Sequence, residues 1–308
     1  MFPGKNIVTI GGGTGLSNLL ESLKTHTDSI SAIVTTTDDG GSSGKIRKDF
    51  NIPSPGDIRK CLIALSNLPD EYKYTLNYRF KSDSALYNHN LGNLLLTALN
   101  EQEVSFSDAV EKAGLLLNIQ GHVIPISDNP EATLNARTIS NKVLSGESII
   151  GKNTEQIIDI WVTPTNITLN PKVIETIEKC DAVIIGPGSL YTSLIPNFLV
   201  PGITECINAS KKPIIFISNL INENETKDFS IQDHILTFQK HTQINLSHII
   251  CNSNNNSFPE LLFTSHLGEK DKLYGIPVIC TDLTSTKSSS KHDGEKLTEV
   301  IIKFLINN

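Results

Sequence analysis

The sequence lacks most of the features that mark nucleic-acid-binding and membrane proteins. Aromatic residues make up 6% of the 308 residues and show no pattern for stacking on bases, and the formal net charge of −7 argues against a basic nucleic-acid surface. No apolar run reaches the length needed to cross a bilayer, and the first residues lack the basic-then-apolar pattern of a secretory signal peptide. We therefore expect a cytoplasmic protein that neither binds nucleic acid nor inserts into a membrane.

Cysteine and histidine show no arrangement typical of a metal or redox centre. The five cysteines stand singly, with no C-x-x-C pair, and the eight histidines have no H-x-x-x-H or H-E-x-x-H spacing. Internal repeats and coiled-coil heptads are missing as well. What remains is 38% hydrophobic and 19% charged residues, the composition of an ordinary globular protein with enough chain for a large core.

The first thirty residues contain the most informative pattern. The apolar run Lys5–Ile10 ends in Gly11-Gly12-Gly13-Thr14-Gly15, and leucines then recur at helical spacing from Leu16 to Leu23. A strand, a glycine turn and a helix in this order direct backbone N–H groups and a helix N-terminus toward an anion. The glycines match neither the G-x-G-x-x-G dinucleotide fingerprint nor a Walker A loop. Taken alone, the stretch is either a phosphate-binding loop or a plain turn between strand and helix.

Two further glycine-rich stretches follow predicted strands. The strand 30–36 leads into Asp38-Asp39-Gly40-Gly41, and the strand Ala182–Ile185 leads into Gly186-Pro187-Gly188-Ser189. The carboxyl ends of parallel strands meet at the edge where open α/β sheets bind ligands. We therefore expect a phosphate site, with backbone donors from the first and third loops. Asp38 or Asp39 would accept a ribose hydroxyl or hold a divalent cation, with Mg²⁺ on Asp39 as the metal hypothesis.

Three polar residues outside these loops complete the predicted site. Asp57 and Arg59 stand at the start of a predicted helix, close in sequence to two of the glycine loops. They are either ligand contacts or ordinary helix-end charges. Asn93 belongs to the polar stretch Asn88–Asn93 before a leucine-rich helix, where it would either orient a ligand or help to cap the helix.

The order of predicted elements indicates the fold class. Six apolar runs without alternation predict a parallel sheet covered on both faces. In region 121–165, short β-like runs follow one another without a predicted helix between them, which is typical of antiparallel hairpins. We predict a single domain over residues 1–308, a doubly wound, mostly parallel, Rossmann-like three-layer α/β fold with a small antiparallel β insert at about 121–165. The polar stretches 252–257 and 284–290 are predicted surface loops.

Several stretches together resemble one family, the YvcK/CofD-like proteins. They are, in chain order, GGGTGLS at Gly11–Ser17, DDGGSSGKIR at Asp38–Arg47, PGDIRKCLIALS at Pro55–Ser66, LGNLLL at Leu91–Leu96, GPGSLYTSLIPNFLVPGI at Gly186–Ile203 and HDGEKL at His292–Leu297. The chain departs from the family pattern at Asn88–Asn93, where we expect Gly-His-Ser-Phe-Gly-Asn. It also has Lys291 where we expect an arginine, so a phosphate contact there would have the charge but not the bidentate fork.

The resemblance implies two alternative functions. The YvcK branch implies a gluconeogenesis factor that supports cell shape and cell-wall growth and binds nucleotide sugars such as UDP-N-acetylglucosamine. The CofD branch implies a metal-dependent transferase that moves a phospholactyl group from a guanylylated donor to a deazaflavin, with Asp38, Asp39 and Asp57 in the active site. The length and the LYTSLIPNFLVPGI stretch are closer to the first branch. We therefore expect a regulatory binder of a nucleotide or nucleotide sugar rather than an enzyme. Whether it is a monomer or a homo-oligomer is left open.

Overall fold

A computed structural model describes residues 4–253, 271–285 and 291–307. The strands are β1 (Ile7–Gly11), β2 (Ile30–Val34), β3 (His122–Pro125), β4 (Thr133–Thr138), β5 (Val143–Ser145), β6 (Ile157–Thr163), β7 (Ala182–Ile185), β8 (Ile214–Ile217), β9 (His248–Asn252), β10 (Lys272–Leu273) and β11 (Ile276–Thr281). The helices are α1 (Gly13–Leu23), α2 (Gly41–Phe50), α3 (Gly56–Leu65), α4 (Asp70–Leu76), α5 (Leu91–Asn100), α6 (Phe106–Leu116), α7 (Glu147–Ile150), α8 (Pro171–Lys179), α9 (Ile195–Phe198), α10 (Ile203–Ser210), α11 (Ile231–Thr242) and α12 (Gly294–Asn307). A π-helical turn, Leu190–Leu194, precedes α9, and a 3₁₀ turn, Asn224–Thr226, precedes α11.

Eight strands form one sheet in the order β10-β11-β9-β8-β7-β1-β2-β3. All neighbouring pairs are parallel except β10 and β11. The strands β5, β4 and β6 form a separate three-stranded antiparallel sheet in that order. The predicted fold class, a mostly parallel α/β sheet with a small antiparallel insert, is therefore confirmed.

The insert is shorter than the predicted range of 121–165. Strand β3 lies at the edge of the large sheet, where it pairs parallel with β2 in the register Ser31 to His122. A four-residue apolar run gives no sign of which strand it will pair with, so the sequence did not separate β3 from the hairpins that follow. The antiparallel part starts at Thr133, and it also contains the short helix α7 where we expected extended chain.

Two apolar cores lie on opposite faces of the large sheet. Because side chains alternate along a strand, Ile7 packs in one core with Leu20 of α1, and Val8 packs in the other. The second core also contains Leu134 of β4 and Ile160 of β6. The insert therefore packs on the same face as α8 to α11 and shares their core.

The helix N-termini differ in how they are capped. Side chains accept backbone N–H bonds at the starts of α5, α6, α8 and α11, from Asn90, Ser105, Asn170 and Ser230. Helix α1 is preceded by Gly12, which provides no side-chain cap. Its first N–H groups are therefore available to another acceptor, because the first turn of a helix has no intrahelical partner for them.

Three remaining sequence expectations concern cysteine, the membrane and the polar loops. The Sγ atoms of Cys251 and Cys280 lie 2.7 Å apart on the paired strands β9 and β11, a proximity that their scattered positions in the sequence did not predict. Across the three described ranges, no helix combines the length and apolarity required to cross a bilayer. Residues 254–257 and 286–290 of the predicted polar loops lie outside the described residues.

Candidate functional site

A cleft of about 490 Å³ lies at the carboxyl edge of the large sheet. The chain runs from β1 to β2 and β3 on one side and to β7, β8, β9 and β11 on the other, so the strand order reverses between β1 and β7. Open α/β sheets bind ligands at such a switch point. The cleft is lined by Gly12, Gly13, Thr14, Gly15, Asn18, Glu147, Pro187, Gly188, Ser189, Thr192, Ser193, Asn219, Leu220, Ile221, Glu223, Lys291 and His292.

The first and third glycine loops are in direct contact across this cleft. A Cβ placed on Gly15 would lie only 2.6 Å from the carbonyl oxygen of Pro187, so the two backbones can approach this closely only at a glycine. The loop after β7 is held from the other side, because the N–H of Gly188 donates to Asn219 Oδ1 at 3.3 Å. Gly13 has a φ of +69°, in the left-handed region that favours glycine. The sequence thus correctly placed these two loops together.

The two loops bring hydrogen-bond donors to the cleft. The uncapped N-terminus of α1 supplies backbone N–H groups, and the helix dipole favours an anion there. Hydroxyl groups of Ser189, Thr192 and Ser193 line the opposite wall. Behind that wall, Ser189 Oγ donates to the carboxyl group of Glu225, which is 3% exposed. Burial raises the pKa of Glu225, so this carboxyl group carries less negative charge beside the donors than an exposed one would.

Three carboxyl groups from separate segments influence one another beside the first glycine loop. Asp57 packs under the loop, with Oδ2 only 2.6 Å from the position of a Cβ on Gly12, and its Oδ1 accepts from Lys60 Nζ at 2.9 Å. Burial, and then the charge of Asp57, raises the pKa of Asp38. Glu147 of the insert lines the cleft itself, and burial followed by the charges of Asp38 and Asp57 raises its pKa to about 8. Glu147 is therefore largely neutral at pH 7.

Asp39 is turned away from the cleft toward the insert. Its Oδ1 accepts the backbone N–H of Ser148 at 2.8 Å, and its carboxylate packs against the backbone of Gly146. Within residues 4–253, 271–285 and 291–307, no group of three or more histidine, cysteine, aspartate or glutamate side chains is arranged to hold a metal ion. The side chain that the sequence suggested for Mg²⁺ thus accepts a hydrogen bond between two loops, and magnesium binding at Asp39 stays a prediction.

The end of the chain closes one side of the cleft. Lys291 is exposed and lines the mouth, as the resemblance suggested. Next to it, Nε2 of His292 lies 3.1 Å from the carbonyl oxygen of Ser218 and must donate to it, because a carbonyl only accepts. Burial lowers the pKa of His292 to about 4, so the ring is neutral at pH 7. Its second ring nitrogen, Nδ1, is consequently an acceptor.

Nine of the predicted site residues do not line this cleft, namely Gly11, Asp38, Asp39, Gly40, Gly41, Asp57, Arg59, Asn93 and Gly186. Asn93 is buried beside α2, where its Nδ2 donates to Ser42 Oγ at 3.3 Å. Arg59 lines a different cleft, on the other side of the first turn of α1. The second glycine stretch also lies outside the lining of this cleft. Gly40 precedes α2, and Gly41 is its first residue. Asp38 affects the main site through its charge on Glu147, and Asp39 through its hydrogen bond to Ser148 of the insert.

Sequence reasoning missed several residues that line the cleft. Asn219 follows β8 at the same edge as the glycine loops, so the rule used for the other strands could have found it. His292 belongs to the HDGEKL stretch and could have been added to Lys291 on that ground. Glu147 had no such signal, because only the packing of the insert onto the large sheet brings it to the cleft.

Together these features describe an α/β protein whose cleft, at the switch point of a parallel sheet, is lined by two glycine loops and the uncapped N-terminus of a helix. The profile of the family described as 2-phospho-L-lactate transferase CofD matches residues 7–282, and the chain belongs to this family. The resemblance seen in the motifs is therefore confirmed.

The relatives and a solved structure match nearly the whole chain. The gluconeogenesis factor of Listeria monocytogenes is 36% identical over 98% of this chain and 96% of its own length. That of Bacillus subtilis is 35% identical over 97% of this chain and 98% of its own length. A crystal structure of a UPF0052-family protein from Bacillus halodurans has a TM-score of 0.91 at 34% identity, covering 98% of this chain and 100% of that one. The gluconeogenesis-factor branch is thus the part of the family that this chain resembles.

Proposed function

We propose that the protein is a regulatory binder of nucleotide sugars of the UDP-N-acetylglucosamine type, acting as a gluconeogenesis factor that supports cell shape and cell-wall growth. The observation that carries this proposal is the contact between two glycine loops at the uncapped N-terminus of α1. Such a surface suits a diphosphate, because it offers several backbone donors and no Cβ to block close approach. The sugar and the base follow from the family resemblance.

The side chains around the loops suit the rest of such a ligand. Ser193 would donate to a phosphate oxygen, whereas the hydroxyl protons of Ser189 and Thr192 are already used within the protein. Asn219 and neutral His292 would bind hydroxyl or base groups. Glu147 would otherwise repel a diphosphate, but a pKa of about 8 leaves it protonated at neutral pH. It can then donate a hydrogen bond to a phosphate or sugar oxygen.

Calorimetry with four compounds tests the proposal. UDP-N-acetylglucosamine should bind with saturable heat, UDP should bind more weakly, and free N-acetylglucosamine should give no measurable binding, because the donors are built for the diphosphate. NAD should not compete. Saturable NAD binding together with no heat from the UDP-sugar would overturn the proposal.

A second function has support in the family itself, whose description names a phospholactate transferase. Asp38 and Asp57 lie close to the first glycine loop, as an active site would require. We nevertheless favour the binder, because the curated relatives are named as gluconeogenesis factors. Turnover of a guanylylated phospholactate with a deazaflavin acceptor would establish the transferase instead.

A further inference from the structure

A second cleft, of about 600 Å³, lies between α1, α3 and α4. Thr14 belongs to the walls of both clefts, so the first turn of α1 separates them. Asn18 faces the first cleft, whereas Ser17 and Glu21, on another side of α1, face the second. The rest of its wall consists of Arg59, Lys60, Ile63, Ala64, Asp70, Lys73, Tyr74 and Asn77.

Two of the five charged groups of this wall, Glu21 and Arg59, form no ion pair among the described residues, and of these two only Arg59 is buried. Lys60 forms an ion pair with Asp57 at 2.9 Å, and Lys73 forms one with Asp70 at 3.3 Å. Arg59 is only 6% exposed, yet its guanidinium group forms no hydrogen bond or ion pair with any residue in the described part of the chain. Its Nε and Nη1 are fully buried and unsatisfied.

An arginine in this state is unusual because burial of a charged group is costly unless a partner compensates it. Packing explains the position of the aliphatic stem, since Cδ and Cγ of Arg59 lie against Gly92. Packing does not explain the guanidinium. Burial, and then the nearby charge of Arg79, lowers the pKa of Arg59 to about 10, so it remains charged at neutral pH. The charges of Asp57 and Asp38 favour the charged form, yet neither carboxylate is hydrogen-bonded to the guanidinium, so its Nε and Nη1 have no acceptor among the described residues.

We propose that the second cleft is a binding site for the oxyanion of a small molecule, a phosphate or carboxylate group held by Arg59. A guanidinium can donate two parallel hydrogen bonds to such an oxyanion. Because Nε and Nη1 are fully buried, the Arg59 side chain must turn toward the cleft to form both. Tyr74, whose side chain is largely exposed beside the same cleft, is placed to contact the remainder of the molecule. Because the two clefts share Thr14, this molecule would be a second ligand next to the one in the main cleft.

The test uses the small number of arginines. The chain has only four, Arg47, Arg59, Arg79 and Arg137, so arginine-selective ¹⁵N labelling of the full chain gives four Nε–H resonances. Single lysine variants at the four positions assign them. If Arg59→Lys does not fold, the other three variants assign Arg59 by elimination. Sodium phosphate and sodium acetate are titrated separately, with sodium chloride at matched ionic strength as the control.

We expect the Arg59 resonance to shift saturably with phosphate, acetate or both, and the anion that saturates first identifies the group. The exposed Arg79 and Arg137 should instead drift with ionic strength alone. An Arg59 resonance that responds to neither anion beyond the chloride control would overturn the proposal. The result is independent of nucleotide-sugar binding. A saturable Arg59 shift without calorimetric heat from UDP-N-acetylglucosamine would retain this site and refute the function proposed for the main cleft.

Discussion

Replacing Gly15 by alanine tests whether the two glycine loops form one binding surface. The added Cβ would lie 2.6 Å from Pro187 O, 2.9 Å from Pro187 C and 3.3 Å from Gly188 N. All three atoms are backbone, so no flexible side chain can move aside. To restore a contact of 3.4 Å to the carbonyl oxygen, the loops must separate by 3.4 − 2.6 = 0.8 Å.

The expected loss of stability combines two opposing effects. Overpacking costs about 1–3 kcal/mol, and alanine gains about 0.5–1 kcal/mol over glycine inside a helix, which leaves a net loss of about 0–2.5 kcal/mol. The effect on binding should be larger. A separation of 0.8 Å misaligns donors that both loops offer to one diphosphate. Losing a hydrogen bond to a charged group weakens binding by about 10- to 100-fold.

Urea unfolding measures the first effect and calorimetry with UDP-N-acetylglucosamine measures the second. Gly151→Ala is the matched control, because Gly151 has a φ of −65° and a Cβ there would meet its neighbours at ordinary distances of 3.5 and 3.7 Å. The control should change the free energy of unfolding by less than about 0.5 kcal/mol. If Gly15→Ala binds the UDP-sugar as tightly as the parent and is equally stable, the loops do not form the rigid surface that we infer.

Three further predictions concern the same site. Glu147 has a raised pKa of about 8, so the stability that its neutral form contributes is present below its ordinary pKa and is lost as pH rises through 8. The affinity for UDP-N-acetylglucosamine should also fall as pH rises through 8. In Glu147→Gln, the free energy of unfolding and the affinity should both depend less on pH; a dependence equal to that of the parent would show that Glu147 is not the titrating group. Gly13→Val should abolish UDP-sugar binding while circular dichroism still shows a folded protein, because a β-branched residue is strained at a φ of +69°; normal calorimetric binding would contradict this. Asp39→Ala should lower the free energy of unfolding in urea by about 1–3 kcal/mol, because it leaves the Ser148 N–H without its acceptor; full stability would mean that this bond does not anchor the insert.

The general plan of the protein was predictable because it follows from local patterns. A buried strand followed by glycines and a leucine-spaced helix predicts a strand, a turn and a helix, and parallel strands bring their carboxyl ends together. The contact between Gly15 and Pro187 follows from this once β1 and β7 are neighbours. The order of the strands was not fully predictable, because the sequence of β3 does not indicate whether the strand joins the large sheet or the insert.

The missed part of the site depends on tertiary packing. Glu147 reaches the cleft because the insert shares a core with the face of the sheet that carries α8 to α11. Arg59 was predicted as a ligand contact of the main cleft from its closeness in sequence to the glycine loops. The structure places it on a separate cleft, because the first turn of α3 directs Asp57 toward the glycine loop and Arg59 toward the cleft between α1, α3 and α4. Closeness in sequence therefore predicted that Arg59 lies near the first glycine loop, but not which side of α1 it faces.

The two adjacent aspartates show how one short loop serves two purposes. Asp38 points toward α3, where its Oδ2 lies against Gly56, whereas Asp39 points to the insert and accepts from Ser148. Successive side chains in extended chain face opposite ways, so a pair of acids after β2 contacts both partners at once. Burial, and then the charge of Asp38, raises the pKa of Glu147, and Asp39 holds the segment that carries Glu147. The acidic loop therefore acts on the cleft indirectly, because it helps to position Glu147 and to keep its carboxyl group neutral. The diphosphate that we propose as the ligand would be repelled by a further negative charge at this place.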